Sequence, residues 1–252
     1  MRRPLEHRQQ GILVAEGEKV VRRLLESPLE VLSLLVTSDW LAELEASEHQ
    51  RGTEAVPVFL AGPDLMSEIV GFNIHQGIMA VARVPVDISL TDIPSGHLLL
   101  ALDGLRISEN VGVIVRNAAA LGACAHLVGE ASASPYLRRA VRSSMGAIFS
   151  TPVLHVPCLV EALLELRRRF GTRIVAADPH AGAPIYDLDL SGNVCLVLGN
   201  EDYGISPATA AVVSVSAAIP MHNRTDSLNV ASAAAVFLYE AARQRAHGGC
   251  GT

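Results

Sequence analysis

The second half of this chain alternates short, almost uninterrupted apolar runs with segments of helical periodicity, and this pattern restricts the fold more than any other feature. Four runs predict strands, at residues 97–102, 126–128, 173–177 and 194–198. Five segments predict helices, at residues 111–121, 136–143, 159–170, 206–212 and 230–245. Strands that are apolar on both faces are typical of a parallel sheet covered by helices on both sides. Half of the residues are hydrophobic and only 4% are aromatic, which favours this α/β fold over a β-sandwich.

The first third of the chain shows the same alternation in shorter pieces, which predicts a small α/β domain of its own. Strands are expected at residues 11–15, 31–36, 57–60 and 77–84, and helices at 16–25, 40–44 and 67–70. Residues 85–96 contain two prolines and end in a glycine, a composition that favours a linker. We therefore expect a domain at 1–84, a linker at 85–96 and a larger domain at 97–252.

Composition argues against several classes of protein, whereas net charge does not decide whether RNA is a partner. The four cysteines are scattered, with no closely spaced pair and no histidine at ligand spacing, so neither a metal site nor a disulfide framework is expected. The N-terminus lacks a signal-peptide pattern and no apolar run reaches about 18 residues, so we expect a cytoplasmic protein without a membrane span. The net charge of −6 resides entirely in residues 1–96, and residues 97–252 are neutral, so charge neither supports nor excludes RNA as a partner.

Three loops of the larger domain contain nearly all of its unusual polar residues, and in a parallel sheet ligands bind beyond the carboxyl ends of the strands. The first loop leads into a helix within residues 102–118. Asn110 suits the N-cap of this helix as well as a functional role. Arg116 stands among Val, Ile and Ala, and a charged group in that setting needs a partner, for which a phosphate is well suited. Both side chains are expected to reach one end of the sheet.

The second loop, at residues 198–206, is a turn flanked by glycines that carries two carboxylates, Glu201 and Asp202. It fits a solvated turn that ends at Ser206, the cap of a following helix. Gly199 equally allows a ligand to approach the main chain closely. By itself this loop does not distinguish the two interpretations.

The third loop, at residues 219–235, offers more helix-capping residues than one helix needs, namely Asp226, Ser227 and Asn229. The helix that follows is rich in small side chains, which allow another element to pack very close to it. That element is either a partner subunit or the core of the same chain, and the sequence leaves both open.

Together the three loops resemble, in order and spacing, the three motifs of the SpoU branch of the SPOUT methyltransferases. The matching residues are Asn110-x-Gly112-x-x-x-Arg116, then Leu198-Gly199-Asn200-Glu201, then Ile219-Pro220-Met221 with Ser227-Leu228-Asn229-Val230. Residues 14–19 and 75–78 resemble the family's N-terminal substrate-binding domain, which is related to ribosomal protein L30e. Each motif alone is a weak signal, whereas three in sequence are specific. The chain departs from the family pattern at Asp202, where glycine is usual, and at Ile205, where leucine is common.

The resemblance implies both a fold and a reaction. The larger domain would contain a C-terminal trefoil knot, bind S-adenosylmethionine and form a homodimer, and the enzyme would methylate a ribose 2′-hydroxyl of RNA. The implied cofactor contacts are main-chain groups at Gly199, Ile219, Met221 and Leu228. The absence of a GxGxxG sequence agrees with a site of this kind. Ribosomal RNA is the expected substrate; the alternatives are transfer RNA, a non-catalytic RNA-binding factor, or a small-molecule enzyme with another nucleotide cofactor.

The resemblance also implies roles for individual side chains. Arg116 would clamp the phosphate beside the reacting ribose and stabilise developing alkoxide charge, because an arginine with a pKa above about 12 is a poor base. Four residues would orient Arg116 and the ribose: Asn110, Glu201, Ser227 and Asn229. RNA contacts are expected from Arg106, Arg138, Arg139 and Arg142, although a solvated helix face explains the last three equally well.

Overall fold

The structure is a computed structural model that describes residues 10–46, 56–70, 77–223 and 225–248. The chain divides into two compact units. The first consists of Met1–Val86 with Pro135–Ser150, and the second of Asp87–Ser134 with Thr151–Thr252. The mixed α/β class predicted from the sequence is confirmed, and so is the parallel sheet of the larger part.

The predicted strands and helices are confirmed within a few residues at their ends. In chain order the described elements are β1 Ile12–Glu16, α1 Glu18–Leu25, β2 Val31–Val36, α2 Ser38–Ala46, β3 Val58–Leu60, α3 Pro63–Val70, β4 Ile78–Arg83, β5 Leu98–Asp103, α4 Ser108–Ala120, β6 Ala125–Val128, α5 Arg138–Ser143, β7 Val153–His155, α6 Leu159–Phe170, β8 Arg173–Ala177, β9 Val194–Gly199, α7 Pro207–Ala210, β10 Val215–Ala217 and α8 Val230–Gly248. Strands β7 and β10, of three residues each, were not predicted from the sequence.

The first unit is built on a four-stranded sheet in the order β1-β4-β2-β3. Strand β4 pairs antiparallel with both β1 and β2, and β3 lies parallel to β2 at the edge. Val14 of β1 is buried in one cluster with Ala61, Met66 and Met79. Val21 and Leu24 of α1 are also buried, because the apolar side chains of this helix recur on one face. This small core holds the first unit together.

Helix α5 belongs to the first unit, although the sequence analysis placed residues 136–143 in the larger domain. Arg138 and Arg142 both donate to the carboxylate of Glu16 at the end of β1, with N···O distances of 2.6 and 3.0 Å. Only 11% of the Glu16 side chain and 18% of the Arg138 side chain are exposed. A contact between residues so far apart in the chain leaves no local pattern, which is why the predicted boundary differs here.

The second unit contains a six-stranded sheet in the order β10-β8-β9-β5-β6-β7, and every neighbouring pair is parallel. Strands β5 and β9 lie at its centre and are almost fully buried. Asp103 and Gly199, the last residues of these two strands, are register partners. Consequently the loops that follow β5 and β9 begin side by side at the carboxyl edge of the sheet.

Helix α6 packs on this sheet because its apolar side chains recur at helical spacing. Leu159, Leu163 and Leu166 are buried in one cluster with residues of the strands, and burial of each leucine stabilises the fold by roughly 1.5–3 kcal/mol. The carboxylate of Glu130 accepts the main-chain N–H of Leu159 at 3.0 Å, which satisfies one of the open donors of the first turn. The helix ends at Gly171, whose φ of 61° lies in the left-handed region.

The small residues of α8 pack mainly inside the chain. Helix α8 lies against α4 and β9, with Ala231 and Ala234 buried. The Nδ2 of Asn117 on α4 donates to the carbonyl of Ala231 at 3.1 Å. For these two alanines the structure therefore favours core packing over a subunit partner, whereas Ser232 is exposed.

The predicted linker is attached along the edge strand β7. The carboxylate of Asp87 accepts the main-chain N–H of His155 at 2.7 Å and lies 3.0 Å from its ring Nδ1. Ile88 donates to the carbonyl of Val153, and Ile93 is buried in the core of the second unit. From Asp87 onward this segment is thus part of the second unit.

Candidate active site

Side chains at the strand ends tie the loops after β5 and β9 together. Asn200 donates through Nδ2 to the carbonyl of Gly104 at 2.6 Å. Asp103 accepts the main-chain N–H of Ser206 at 2.7 Å. Neither Asp103 nor Asn200 was expected from the sequence to have a role, although each is a polar residue at the end of a buried strand.

Glu201 is the centre of the hydrogen bonds at the start of α4. Its carboxylate accepts the main-chain N–H groups of Arg106 and Ile107, each at 3.2 Å, and the Nδ2 of Asn110 at 3.1 Å. The N-terminus of a helix leaves such donors open and favours a nearby negative charge. Burial acts to raise the pKa of Glu201, but the hydrogen bonds outweigh burial and hold the pKa below its ordinary value. Glu201 is therefore an anion at neutral pH.

Asn110 connects Glu201 to the third loop. While its Nδ2 donates to Glu201, its Oδ1 accepts the Nδ2 of Asn229 at 3.2 Å. The Oδ1 of Asn229 in turn accepts the main-chain N–H of Ala231 at 2.9 Å, in the first turn of α8. A continuous chain of hydrogen bonds thus joins one residue from each of the three loops, and we call Glu201, Asn110 and Asn229 the polar chain.

Arg116 is placed differently from the sequence expectation. It lies exposed on α4 together with Val113, Ala119 and Ala120, so water satisfies its charge and the argument that it needs a partner was wrong. Six residues along an ideal helix correspond to about 600°, so its side chain leaves α4 about 120° away from that of Asn110. Within the described part of the chain Arg116 has no hydrogen bond or ion pair, and its guanidinium is available to a ligand.

Ser227 precedes the polar chain without joining it. The side chain is exposed, and it makes no hydrogen bond to the residues that the structure describes. Three of the predicted catalytic residues are thus brought together, whereas Ser227 and Arg116 remain open to solvent.

Position 199 requires glycine because another part of the main chain lies too close for a side chain. A Cβ atom at this position would lie 2.2 Å from the carbonyl carbon of Gly204 and 2.4 Å from the nitrogen of Ile205. Asn200 and Gly204 form an isolated antiparallel bridge that folds the loop back onto the end of β9. The fold of the loop therefore gives one reason for glycine at this position, and the cofactor contact that the sequence implied at Gly199 stays a prediction.

The other three predicted cofactor contacts follow β10 in the chain. Ile219 and Met221 are half-buried, and Leu228 is 39% exposed. Their main-chain N–H and C=O groups have no hydrogen-bond partner within residues 10–46, 56–70, 77–223 and 225–248. Open main-chain groups beside apolar side chains suit a ligand that carries an aromatic base and several polar groups. These residues therefore fit S-adenosylmethionine.

The four arginines predicted to contact RNA fall into two groups. Arg106 is exposed in the loop before α4, where its main-chain N–H is bound to Glu201. In the first unit Arg138 is committed to Glu16, whereas the Arg142 side chain remains 64% exposed beside the same carboxylate. Arg139 is exposed. Arg106 and Arg142 thus present charge to solvent, and Arg138 has a structural ion pair.

Metal clusters and membrane-spanning helices are both absent from the described residues. They contain no group of three or more His, Cys, Asp or Glu side chains arranged to hold a metal ion. No helix among them has the length and apolar character needed to span a membrane.

The sequence model of the SpoU rRNA methylase family matches residues 97–239, a range that contains all three loops and the polar chain. The chain belongs to the SpoU rRNA methylase family. The resemblance inferred from the three motifs is thereby confirmed, and the match begins at the residue where the sequence analysis started the larger domain.

Relatives in the SpoU family match almost the whole chain. An uncharacterized tRNA/rRNA methyltransferase of Mycobacterium bovis is 36% identical over 256 residues, covering 100% of this chain and 88% of the relative. A 23S rRNA uridine 2′-O-methyltransferase of Streptomyces viridochromogenes is 37% identical over 245 residues, covering 94% of this chain and 85% of the relative. The crystal structure of the SpoU methyltransferase AviRb from the same organism, in complex with the cofactor AdoMet, has a TM-score of 0.83 at 30% identity and covers 97% of this chain and 94% of that one.

Proposed function

We propose that this chain transfers a methyl group from S-adenosylmethionine to a ribose 2′-hydroxyl of ribosomal RNA. The observation that carries the proposal is the polar chain, because it joins residues of all three SpoU motifs at one edge of the sheet. The relative named as a 23S rRNA 2′-O-methyltransferase aligns with 94% of this chain, including its first unit, and this favours ribosomal over transfer RNA.

The cofactor site in this proposal consists of Gly199, Ile219, Met221 and Leu228. The open main-chain groups after β10 would hold the polar parts of S-adenosylmethionine, and the half-buried side chains would contact its adenine. When bound, the cofactor supplies a methyl group that is already activated by a positively charged sulfur. Positioning the ribose oxygen and stabilising its charge are therefore the main tasks left to the protein.

We assign the catalytic roles by which side chains are already hydrogen-bonded within the protein and which are exposed to solvent. Glu201 has a lowered pKa and three donors, so it acts as an anchor for Asn110 rather than as a base. Asn110 and Asn229 hold the two loops in register, and Ser227 contacts the ribose. Arg116 binds the phosphate beside the target ribose and stabilises negative charge as the 2′-oxygen attacks the methyl carbon and releases its proton to water. RNA would also contact Arg106 in the second unit. In the first unit it would contact Arg139 and Arg142, and Arg138 would hold helix α5 in place through Glu16.

A homodimer and a trefoil knot belong to the same proposal. Val113 on α4 and Val236 and Tyr239 on α8 are large apolar side chains that remain 37%, 38% and 62% exposed. Because α4 and α8 pack against each other, these side chains suit an apolar face for a second copy of the chain. Arg116 lies on the same exposed face of α4, so dimer formation would bring it into an enclosed setting. The knot is supported by family membership, and a cytoplasmic location by the ribosomal substrate.

Transfer of a tritiated methyl group from labelled cofactor tests the proposed function. We expect label in unmethylated 23S rRNA transcripts and little in transfer RNA, and cofactor binding is measured separately by calorimetry. Arg116→Ala should abolish transfer while cofactor affinity stays within a few-fold, and Arg168→Ala, an exposed arginine on α6, is the matched control. Cofactor binding without transfer to any RNA would instead indicate a non-catalytic RNA-binding factor. An Arg116→Ala variant with full turnover would refute the role of the guanidinium.

A further inference from the structure

Tyr203 lies at the tip of the loop that carries Glu201, and its side chain is 83% exposed. It follows Glu201 by two residues, so it stands beside the polar chain rather than on a remote surface. A tyrosine that is almost fully in water adds nothing to the core, so both faces of its ring are open to a ligand. The three SpoU motifs assign this position no role.

The backbone beneath Tyr203 is fixed. The Oδ1 of Asn200 accepts the main-chain N–H groups of both Asp202 and Tyr203, at 2.9 and 3.2 Å. The bridge between Asn200 and Gly204 closes the loop with two main-chain hydrogen bonds of 2.8 and 2.9 Å. A preorganised loop leaves only the two side-chain torsions of the tyrosine to be ordered on binding, which keeps the entropic cost low.

The charge around Tyr203 restricts what can bind to it. Glu201 and Asp202 precede Tyr203 in the chain, and of these two acidic residues Asp202 is exposed. Carboxylates repel the phosphates of an RNA backbone, so a phosphate is disfavoured at this position. A nucleobase is neutral, its flat face stacks on an aromatic ring, and its N–H groups can donate to a carboxylate.

We propose that Tyr203 stacks on an unpaired nucleobase of the RNA substrate, at or next to the methylated nucleotide, while Asp202 keeps phosphates away from this side of the site. This inference rests on the proposed function, since it takes RNA to be the ligand. This role explains why an aspartate stands at position 202 in place of the usual glycine, because its charge favours binding of a nucleobase over binding of the RNA phosphates. Tyr203 is a binding residue and takes no part in the proton or methyl transfer.

The test compares Tyr203→Ala, Tyr203→Phe and the control Tyr186→Ala, which removes another exposed tyrosine of the same unit. Steady-state transfer to a 23S rRNA transcript gives KM and kcat, and fluorescence anisotropy with a labelled single-stranded RNA of mixed sequence gives Kd. Since stacking on one base is worth about 1–3 kcal/mol, Tyr203→Ala should raise KM and Kd for RNA roughly 5- to 150-fold. Tyr203→Phe should restore binding, and the affinity for S-adenosylmethionine and the melting temperature should not change.

The outcomes separate this inference from the proposed function. If the wild type methylates RNA and Tyr203→Ala leaves both KM and Kd unchanged, the stacking role is overturned and the proposed function stands. If the wild type methylates no RNA, the anisotropy measurement still decides whether Tyr203 holds a base. A fall in melting temperature of Tyr203→Ala that Tyr203→Phe does not reverse would assign the residue a structural role and also overturn the inference.

Discussion

His126 makes the stability of the protein depend on pH in a way that the structure specifies. It lies on β6, fully buried, and neither ring nitrogen has a hydrogen-bond partner in the described residues. Burial disfavours the charged imidazolium and lowers the pKa of His126 from 6.5 to about 4. Above pH 6.5 the ring is neutral in both the folded and the unfolded chain. As the pH falls from 6.5 to 4 the unfolded chain binds a proton that the folded chain does not, so stability is lost over this window.

The lowered pKa of His126 corresponds to a loss of about 3 kcal/mol in the free energy of unfolding, because each unit of pKa difference is worth about 1.36 kcal/mol. Urea denaturation at pH 7.5, 5.5 and 4.5 would measure it for the wild type and for His126→Leu, which has a similar volume and no titrating group. We expect the variant to be at least as stable at pH 7.5 and to gain on the wild type as the pH falls. His97, whose pKa burial also lowers, contributes equally to both proteins and cancels in the difference. The exposed His180→Gln is the control, and a difference between wild type and His126→Leu that does not vary with pH would refute the reasoning.

Two further predictions concern the site itself. Gly199→Ala should destabilise the protein by at least about 1–3 kcal/mol and abolish transfer, because its Cβ would collide with the main chain of Gly204. Gly192→Ala is the control, since a Cβ atom there meets no atom within 4 Å. Equal melting temperatures for the two variants would contradict this prediction. Asn110→Asp places a second carboxylate beside Glu201 and should slow single-turnover transfer roughly 10- to 100-fold, the equivalent of one hydrogen bond to a charged group, while cofactor affinity changes little. An unchanged rate would show that the polar chain does not support the reaction.

The family resemblance implied the place of Asn229, which follows β10, a strand that β8 separates from β9. The meeting of Asn110 and Glu201 was predicted from a physical rule. Parallel strands end at the same edge of a sheet, so polar residues that follow neighbouring strands meet. The apolar runs that became β5 and β9 were visible without any structure, and the register between Asp103 and Gly199 follows from their pairing.

What the sequence did not predict depends on contacts between distant residues. Arg138 and Arg142 join helix α5 to the first unit through ion pairs with Glu16. No residue near either arginine in the chain indicates these ion pairs. The exposure of Arg116 depends on how α4 packs against α8, and the need for glycine at position 199 depends on the loop that folds back at Gly204. Periodicity fixes which face of a helix is apolar, but it does not fix which neighbour covers that face.

The chemical identity of the product tests the central claim most directly. Unmethylated 23S rRNA is incubated with the enzyme and S-adenosylmethionine carrying a deuterated methyl group, then digested to nucleosides and analysed by mass spectrometry. We expect one nucleoside with the heavy methyl group on its ribose, which the Arg116→Ala enzyme does not form. A heavy methyl group on a base, or a ribose product that persists in Arg116→Ala, would contradict the assignment of the three loops to a ribose 2′-hydroxyl site.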